Sequence, residues 1–133
     1  MATDAVIQFK YSDGVNITSI YKRYESFPEK IIESLKAYLK ATKNIQWDFI
    51  VADIISRFVA DSNDRKGIKM LHRAPFEDDN SFIYYWEIIP KEEDFMNSSI
   101  PFEKSIHVKI WRGNKKELIY NGPISDYQEI TSE

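Results

Sequence analysis

The chain has 133 residues and a mass of 15.7 kDa, which predicts one domain over residues 1–133. Hydrophobic residues make up 43% and charged residues 29% of the chain, so the composition excludes a wholly disordered or low-complexity protein. A net charge of −3 argues against a protein that coats nucleic acid or anionic membranes. The absence of cysteine excludes disulfides, iron–sulfur clusters and thiol nucleophiles.

The expected location is the cytoplasm. The N-terminal sequence lacks the basic and then apolar stretches of a secretory signal. No apolar run approaches the roughly 20 residues that a membrane-spanning helix needs. Together with the missing cysteines, these features predict a cytoplasmic protein that has no membrane partner.

Two β-strands are predicted at the start of the chain. Apolar and polar residues alternate over 5–11, which is the period of a strand with one buried face. β-Branched and aromatic residues are then frequent over 15–24. Asp13-Gly14 is a strong turn dipeptide, so the two strands are expected to form a β-hairpin.

Two helices are predicted next. The first is expected from about residue 27 to 41 or 43, because Ser26 and Glu29 have the spacing of a capping box. Pro28 suits the first turn, where its missing N–H is not needed. The second helix, over 46–60, has an apolar stripe that Phe49 and Val59 widen, so more than half of its circumference is expected to be buried.

The second half of the chain predicts strands at 68–73, 82–89, 105–112 and 118–120. The second of these is apolar on both faces, which is typical of a central strand covered on two sides. The acidic tail is expected to fray from about residue 124. The order β-β-α-α-β-β-β-β predicts an α+β fold, with a mostly antiparallel sheet and both helices on one face.

The last hairpin is predicted to have a three-residue loop, Gly113-Asn114-Lys115, with Asn114 or Gly113 at positive φ. A two-residue turn would bring like charges together and mismatch the apolar residues of the two strands. The longer loop gives the pairs Arg112–Lys116, Ile110–Leu118 and Val108–Tyr120. The apolar residues then share one face, and Lys109 and Trp111 lie on the other.

A short motif gives a resemblance to a known family. Residues 21–29 read Tyr-Lys-Arg-Tyr-Glu-Ser-Phe-Pro-Glu. They resemble a signature of small uncharacterised bacterial, archaeal and phage proteins: a Tyr, a basic pair, an aromatic, Asp-Gly, an aromatic, Pro and often Glu. A later Tyr-rich strand ending in Glu is matched here by 84–87, whereas Glu25 and Ser26 replace the usual Asp and Gly. The resemblance implies a fold and brings no known activity.

Three groups of basic and aromatic residues are candidates for binding. Lys22, Arg23 and Tyr24 precede the first helix, whose N-terminal amides favour an anion, although the same corner can simply be packed by its aromatic residues. Arg73 belongs to a basic cluster with Arg65, Lys66 and Lys69. Lys109, Trp111 and Arg112 combine charge with a ring that can stack on a base, and a solvated sheet face is the alternative.

Glu87 is the most unusual carboxylate, because it lies inside an otherwise apolar strand. Buried beside a histidine, either His72 or His107, it could act as an acid or base. The alternative is an ion pair with Lys69, Lys109 or another cross-strand cation.

No metal or cofactor is expected. The segment 61–67 fails as a calcium loop, because Arg65 and Lys66 occupy positions that need an oxygen ligand and a glycine. The acidic runs 77–79 and 92–94 are interpreted as solvated loops, and a divalent-metal site made by both runs is the alternative.

Three functional hypotheses follow. The first is a non-enzymatic accessory or regulatory protein that acts through protein contacts, as a homodimer, of the kind that mobile elements carry. The second is a single-stranded nucleic-acid binder that uses the sheet face around Trp111. The third is a small hydrolase that uses Glu87 and a histidine. No catalytic residue is assigned.

Overall fold

The structure is a computed structural model that describes residues 4–23, 26–43, 46–61, 68–71, 79, 81–91 and 102–128. The strands are β1 Ala5–Lys10, β2 Asn16–Lys22, β3 Ile68–Leu71, β4 Tyr84–Pro90, β5 Ile106–Arg112 and β6 Glu117–Pro123. The helices are α1 Pro28–Ala41, α2 Trp47–Asp61, the short α3 Phe102–Ser105 and a 3₁₀ turn Ile124–Asp126. The predicted α+β class and the order β-β-α-α-β-β-β-β are confirmed. None of the described helices is long and apolar enough to cross a membrane.

The six strands form one mixed sheet in the order β3-β2-β1-β4-β5-β6. β1 and β4 pair in parallel at its centre, and the other neighbours are antiparallel. The predicted first hairpin is confirmed, with Gly14 at a φ of 89° in its turn. The parallel pair brings Gln8 opposite Glu87, so residues far apart in sequence meet on one sheet face.

The main core lies between α1, α2 and one face of the sheet. The sheet contributes alternate residues of its inner strands: Ile7, Phe9, Ile20, Trp86, Ile88, Val108 and Ile110. The helices contribute residues at helical spacing: Ile31, Leu35, Trp47, Ile50, Ile54 and Phe58. All of these are almost completely buried, so both helices lie on the same face, as the sequence predicts.

The start of α1 differs from the predicted capping box. The N-cap is Phe27, without a side-chain hydrogen bond, and Pro28 occupies the first turn. Ser26 is fully buried and its hydroxyl donates to the Lys22 carbonyl oxygen at 3.0 Å. The Glu29 carboxylate accepts a hydrogen bond from Tyr127. The cap prediction is therefore wrong, because both side chains have other partners: Lys22, four residues earlier, for Ser26, and Tyr127 for Glu29.

The register predicted for the last hairpin is also wrong. The loop has four residues, and Arg112 pairs with Glu117. Ile119 forms a bulge, so Trp111 lies opposite Leu118 while Ile110 lies opposite Tyr120. The observed register replaces a repulsive Arg112–Lys116 pair with an ion pair of 3.2 Å between Arg112 and Glu117. Gly113 has the predicted positive φ of 70°, and the second such residue is Lys115, at 59°.

The packed region extends past the point where the sequence predicts fraying. Ile124 is 0% exposed and Tyr127 is 7% exposed, and both belong to the main core. The Tyr127 ring packs edge-on against Tyr120, with ring centroids 5.1 Å apart. Apolar and aromatic side chains therefore anchor 124–127 although the segment as a whole is polar.

Candidate functional site

The face of the sheet opposite α1 and α2, called here the second face, carries buried polar groups on its central strands. Strand alternation places Val6, Gln8, Tyr85, Glu87, Lys109 and Trp111 on it. Gln8 is 4% exposed and Glu87 is 6% exposed. A buried polar group costs free energy unless it is paired, so these side chains point to a specific arrangement.

Glu87 is the centre of an ionic cluster on the second face. Its Oε2 atom lies 3.3 Å from Lys10 Nζ and 3.4 Å from Lys115 Nζ. Lys10 comes from β1, the strand that pairs directly with β4. This agrees with the expected pairing of Glu87 with a cross-strand cation. Lys115 reaches the same oxygen from the last hairpin loop. Lys115 makes this contact from a backbone of positive φ, a conformation that non-glycine residues rarely adopt.

Aromatic rings border this cluster. The Tyr85 and Trp111 rings pack edge to face with centroids 5.5 Å apart. The Lys115 ammonium lies 5.3 Å from the Tyr85 centroid and 5.8 Å from the Trp111 centroid, within the range of a cation–π contact. Burial, and then the negative charge of Glu87, raise the pKa of Tyr85 above its usual range, so the phenol stays protonated.

A cavity of about 220 Å³ opens beside Glu87. Its walls come from β4, β5 and β6 and from the residue that follows β4: Glu87, Ile89, Pro90, Lys91, His107, Lys109 and Asn121. The cavity therefore brings Glu87 and a histidine together, as the third hypothesis requires. The Glu87 carboxylate, however, already contacts two ammonium groups, which is the arrangement of a structural counter-ion.

His107 has an electrostatic setting of its own. Burial lowers the pKa of its imidazole, the Lys91 charge lowers it further, and Asp126 opposes the shift. The Nε2 atom is buried without a hydrogen-bond partner in the described part of the chain. His107 is therefore largely neutral near pH 7, and one ring nitrogen is not used by the fold.

The structure separates the basic and aromatic residues that the sequence singles out. Lys109 and Trp111 are half-buried neighbours on the second face, whereas Arg112 lies on the opposite face and pairs with Glu117. Lys22 is buried on the core face beside Ala5. Arg23 is exposed at the end of β2. Tyr24, Arg73 and His72 lie outside the described residues.

A further surface, which the sequence does not predict, lies on α2. Phe49 is 60% exposed, and Ala52, Ser56 and Ala60 are exposed on the same side of the helix. These four residues, called here the α2 stripe, are spaced by three and four positions and carry no charge. The expectation that Phe49 would be buried is wrong, because the core covers only the opposite arc of α2.

The side opposite the core differs between the two helices. On α1 it displays charged residues such as Lys30, Glu33 and Lys40. On α2 the nearest acids are Asp48, which accepts a hydrogen bond from Tyr11, and Asp53, which accepts one from Tyr38. The uncharged surface of α2 is therefore wider than the part of the helix that the core covers.

Comparisons with known proteins add no family. No protein-family model, no curated protein and no solved structure matches the chain. Within the residues that the structure describes, no group of three or more His, Asp and Glu side chains is arranged to hold a metal ion.

Proposed function

We propose that this is a non-enzymatic accessory or regulatory protein that acts through protein contacts and forms a homodimer through the α2 stripe. The observation that carries the proposal is the 60% exposure of Phe49 within an uncharged surface of the helix. Exposed aromatic residues on an apolar patch are typical of protein interfaces. The lack of cysteine supports a cytoplasmic location.

A second copy of the chain is the partner that the α2 stripe fits best. The stripe has one large side chain, Phe49, at its N-terminal end and small side chains at Ala52, Ser56 and Ala60. Two antiparallel copies related by a two-fold axis place each Phe49 against the small residues of the other copy. The small residues let the two helices approach closely, and no charge is buried between them.

The expected dimer is weak. α2 has 15 residues and is about 22 Å long, so a helix pair covers less than a standard interface. We therefore expect a dissociation constant of about 10–100 μM, which is typical of transient contacts.

Sedimentation equilibrium over about 5–500 μM chain tests this proposal. The expected result is a shift from the 15.7 kDa chain mass towards twice that mass. Ala52→Lys places a charge in the centre of the α2 stripe, four residues after Asp48. Ala37→Lys is the matched control, because it places the same charge on the exposed side of α1, four residues after Glu33.

Ala52→Lys is expected to weaken the dimer at least tenfold, and Ala37→Lys is expected to leave it unchanged. Both helices should keep their circular dichroism, because each new lysine has a favourable acidic neighbour one turn earlier. A wild-type chain that stays monomeric throughout the range contradicts the proposal, and so does a dimer that Ala37→Lys alone disrupts.

Single-stranded nucleic-acid binding is a second candidate function, and charge on the second face supports it. Lys10, Lys69, Lys109 and Lys115 lie on this face, and Glu87 faces them from β4. An excess of cations is the electrostatic requirement for contact with phosphates. Only part of the Trp111 ring is accessible for stacking, because it packs on Tyr85, so the charge rather than an aromatic platform carries this candidate.

Fluorescence anisotropy with a labelled oligothymidine at low and high salt tests the second candidate. Binding that weakens as salt rises, and weakens further in Lys109→Gln, supports it. Lys30→Gln, on the exposed side of α1, is the control of equal charge. Equal loss in both variants would indicate a general charge effect and contradict a site on the second face.

A further inference from the structure

We infer that the cavity beside Glu87 binds a small organic carboxylate, with the anion between Lys91 and Lys109 and the apolar body against Ile89 and Pro90. This site lies on the second face of the sheet, away from the α2 stripe. It therefore does not depend on the dimer that we propose.

Two cations supply the anion recognition. Lys91 is exposed directly after β4, and Lys109 is half-buried on β5, opposite Glu87 in the strand register. Both line the cavity, and neither is in an ion pair with another described residue. Ammonium groups that are not engaged by the fold can contact a bound anion without first breaking another interaction.

The negative charge of Glu87 is already offset within the protein. Lys10 and Lys115 both contact the same carboxylate oxygen, at 3.3 and 3.4 Å. The negative charge of Glu87 is therefore compensated within the cavity wall. The positive charges of Lys91 and Lys109 remain to attract a ligand. This balance favours an anion over a cation in the cavity.

The rest of the cavity favours an organic ligand. Ile89 and Pro90 give it an apolar wall, which a bare inorganic anion cannot use. A volume of about 220 Å³ exceeds the roughly 150 Å³ of a cavity that holds benzene, so a ring or branched chain with one carboxylate fits. Asn121 lines the same cavity and offers an amide donor.

His107 gives the site a measurable signature. Lys91 and Asp126 act on its imidazole, and Lys109 and Glu87 line the same cavity. A bound carboxylate favours the imidazolium form, so it raises the pKa of His107 from its lowered value. By linkage, the carboxylate binds more tightly as pH falls through the titration of His107.

The experiment uses benzoate as the probe, with the full chain and ¹H–¹⁵N NMR. We expect saturable shifts at the amides of Lys109 and Asn121, with a dissociation constant of about 0.1–1 mM for a ligand of this size. Acetate tests the need for the apolar body, and benzyl alcohol tests the need for the charge. Both are expected to bind at least fivefold more weakly than benzoate.

Two substitutions separate this site from general charge. Lys109→Gln removes a cavity cation and is expected to weaken benzoate roughly tenfold, as expected for a charge-assisted contact. Lys69→Gln is the matched control, because Lys69 is an exposed lysine of the same face on β3 and does not line the cavity. Benzoate binding should be tighter at pH 5.5 than at pH 7.5, and His107→Gln should remove this difference.

Several results would overturn the inference. If benzyl alcohol binds as tightly as benzoate, the cavity is an apolar pocket that does not recognise the anion. Equal loss in Lys69→Gln and Lys109→Gln would show a diffuse charge effect. Displacement of benzoate by an oligothymidine, with Lys69→Gln weakening the oligothymidine, would assign the face to nucleic acid instead.

Discussion

The two faces of strand β4 are similarly buried but chemically different. On the core face, Trp86 and Ile88 are 0% exposed and pack among apolar side chains. On the second face, Tyr85 and Glu87 are 2% and 6% exposed, but an ionic cluster and a phenol lie there. The stability of the core face depends on the volume and shape of its side chains, whereas the second face needs a partner for each polar group.

This difference indicates a division of roles within one strand. Well-packed apolar side chains contribute more reliably to stability than a buried ion pair, whose desolvation offsets much of its attraction. A buried carboxylate with two cations is therefore an inefficient way to stabilise β4. The contrast supports the assignment of stability to the core face and of ligand binding to the second face.

The largest expected effect is on the free energy of unfolding. It compares two neighbouring isoleucines that lie on opposite faces of β4. Ile88→Ala should lower the free energy of unfolding by about 2–5 kcal/mol, because it leaves a cavity in the main core. Ile89→Ala, on the second face and half-buried, should cost about 1–2 kcal/mol. Urea denaturation followed by circular dichroism measures both values. Equal losses would remove the distinction between the faces.

A smaller effect is expected at the centre of the ionic cluster. Glu87→Ala should cost about 1–3 kcal/mol, because it leaves the ammonium groups of Lys10 and Lys115 without their shared acceptor. Both lysine side chains keep some access to water, at 20% and 52% exposure, which limits the cost. The measurement is again the free energy of unfolding in urea.

The control for this cluster is a double-mutant cycle. Lys10→Met should destabilise the wild-type chain more than it destabilises Glu87→Ala, because the second background has no anion to lose. Additive changes in the cycle would show that Lys10 and Glu87 do not interact in solution.

The third prediction concerns the pH dependence of stability, through His107 on the second face. The pKa of His107 is lowered in the folded chain, so the unfolded chain binds more protons as pH falls below the usual histidine value. The contribution of His107 to stability is therefore present above about pH 6.5 and is lost as pH falls towards the lowered pKa. We expect the difference in unfolding free energy between pH 7.5 and 5.5 to shrink in His107→Gln. An unchanged difference would show that His107 titrates normally.

Much of the fold follows from local sequence patterns, whereas the site depends on long-range pairing. Strand alternation and the apolar spacing on α1 and α2 predict both helices and the element order, because each pattern depends only on nearby residues. The cation partners of Glu87 were not predictable individually. Lys10 meets Glu87 only because β1 pairs in parallel with β4, a contact between strands far apart in sequence.

Three local predictions fail for related reasons. The capping box at Ser26 fails because the Ser26 hydroxyl bonds to the Lys22 carbonyl. The hairpin register fails because a bulge at Ile119 lets Arg112 meet Glu117. Phe49 is exposed although its spacing suits a core, since periodicity shows that a residue is apolar but does not show what covers it. In each case another arrangement replaces the predicted one: a hydrogen bond to a residue four positions away, an ion pair with a residue five positions away, and a packing of α2 that leaves Phe49 uncovered.

The smallest expected effect concerns the loop lysine that joins the cluster from outside the strands. Lys115 has a φ of 59°, a conformation that costs a non-glycine residue about 1 kcal/mol. Its ion pair with Glu87 is half-exposed, so it contributes about 0–1 kcal/mol. Lys115→Ala loses the ion pair and keeps the strain, whereas Lys115→Gly loses the ion pair and relieves the strain. Lys115→Gly should therefore be about 1 kcal/mol more stable than Lys115→Ala and close to wild type.

Lys116→Gly and Lys116→Ala form the control pair, because Lys116 has no positive φ, and there the glycine variant should be the less stable one. The same order at both positions would show that the backbone at Lys115 is not strained and that the ion pair alone holds this residue against the second face.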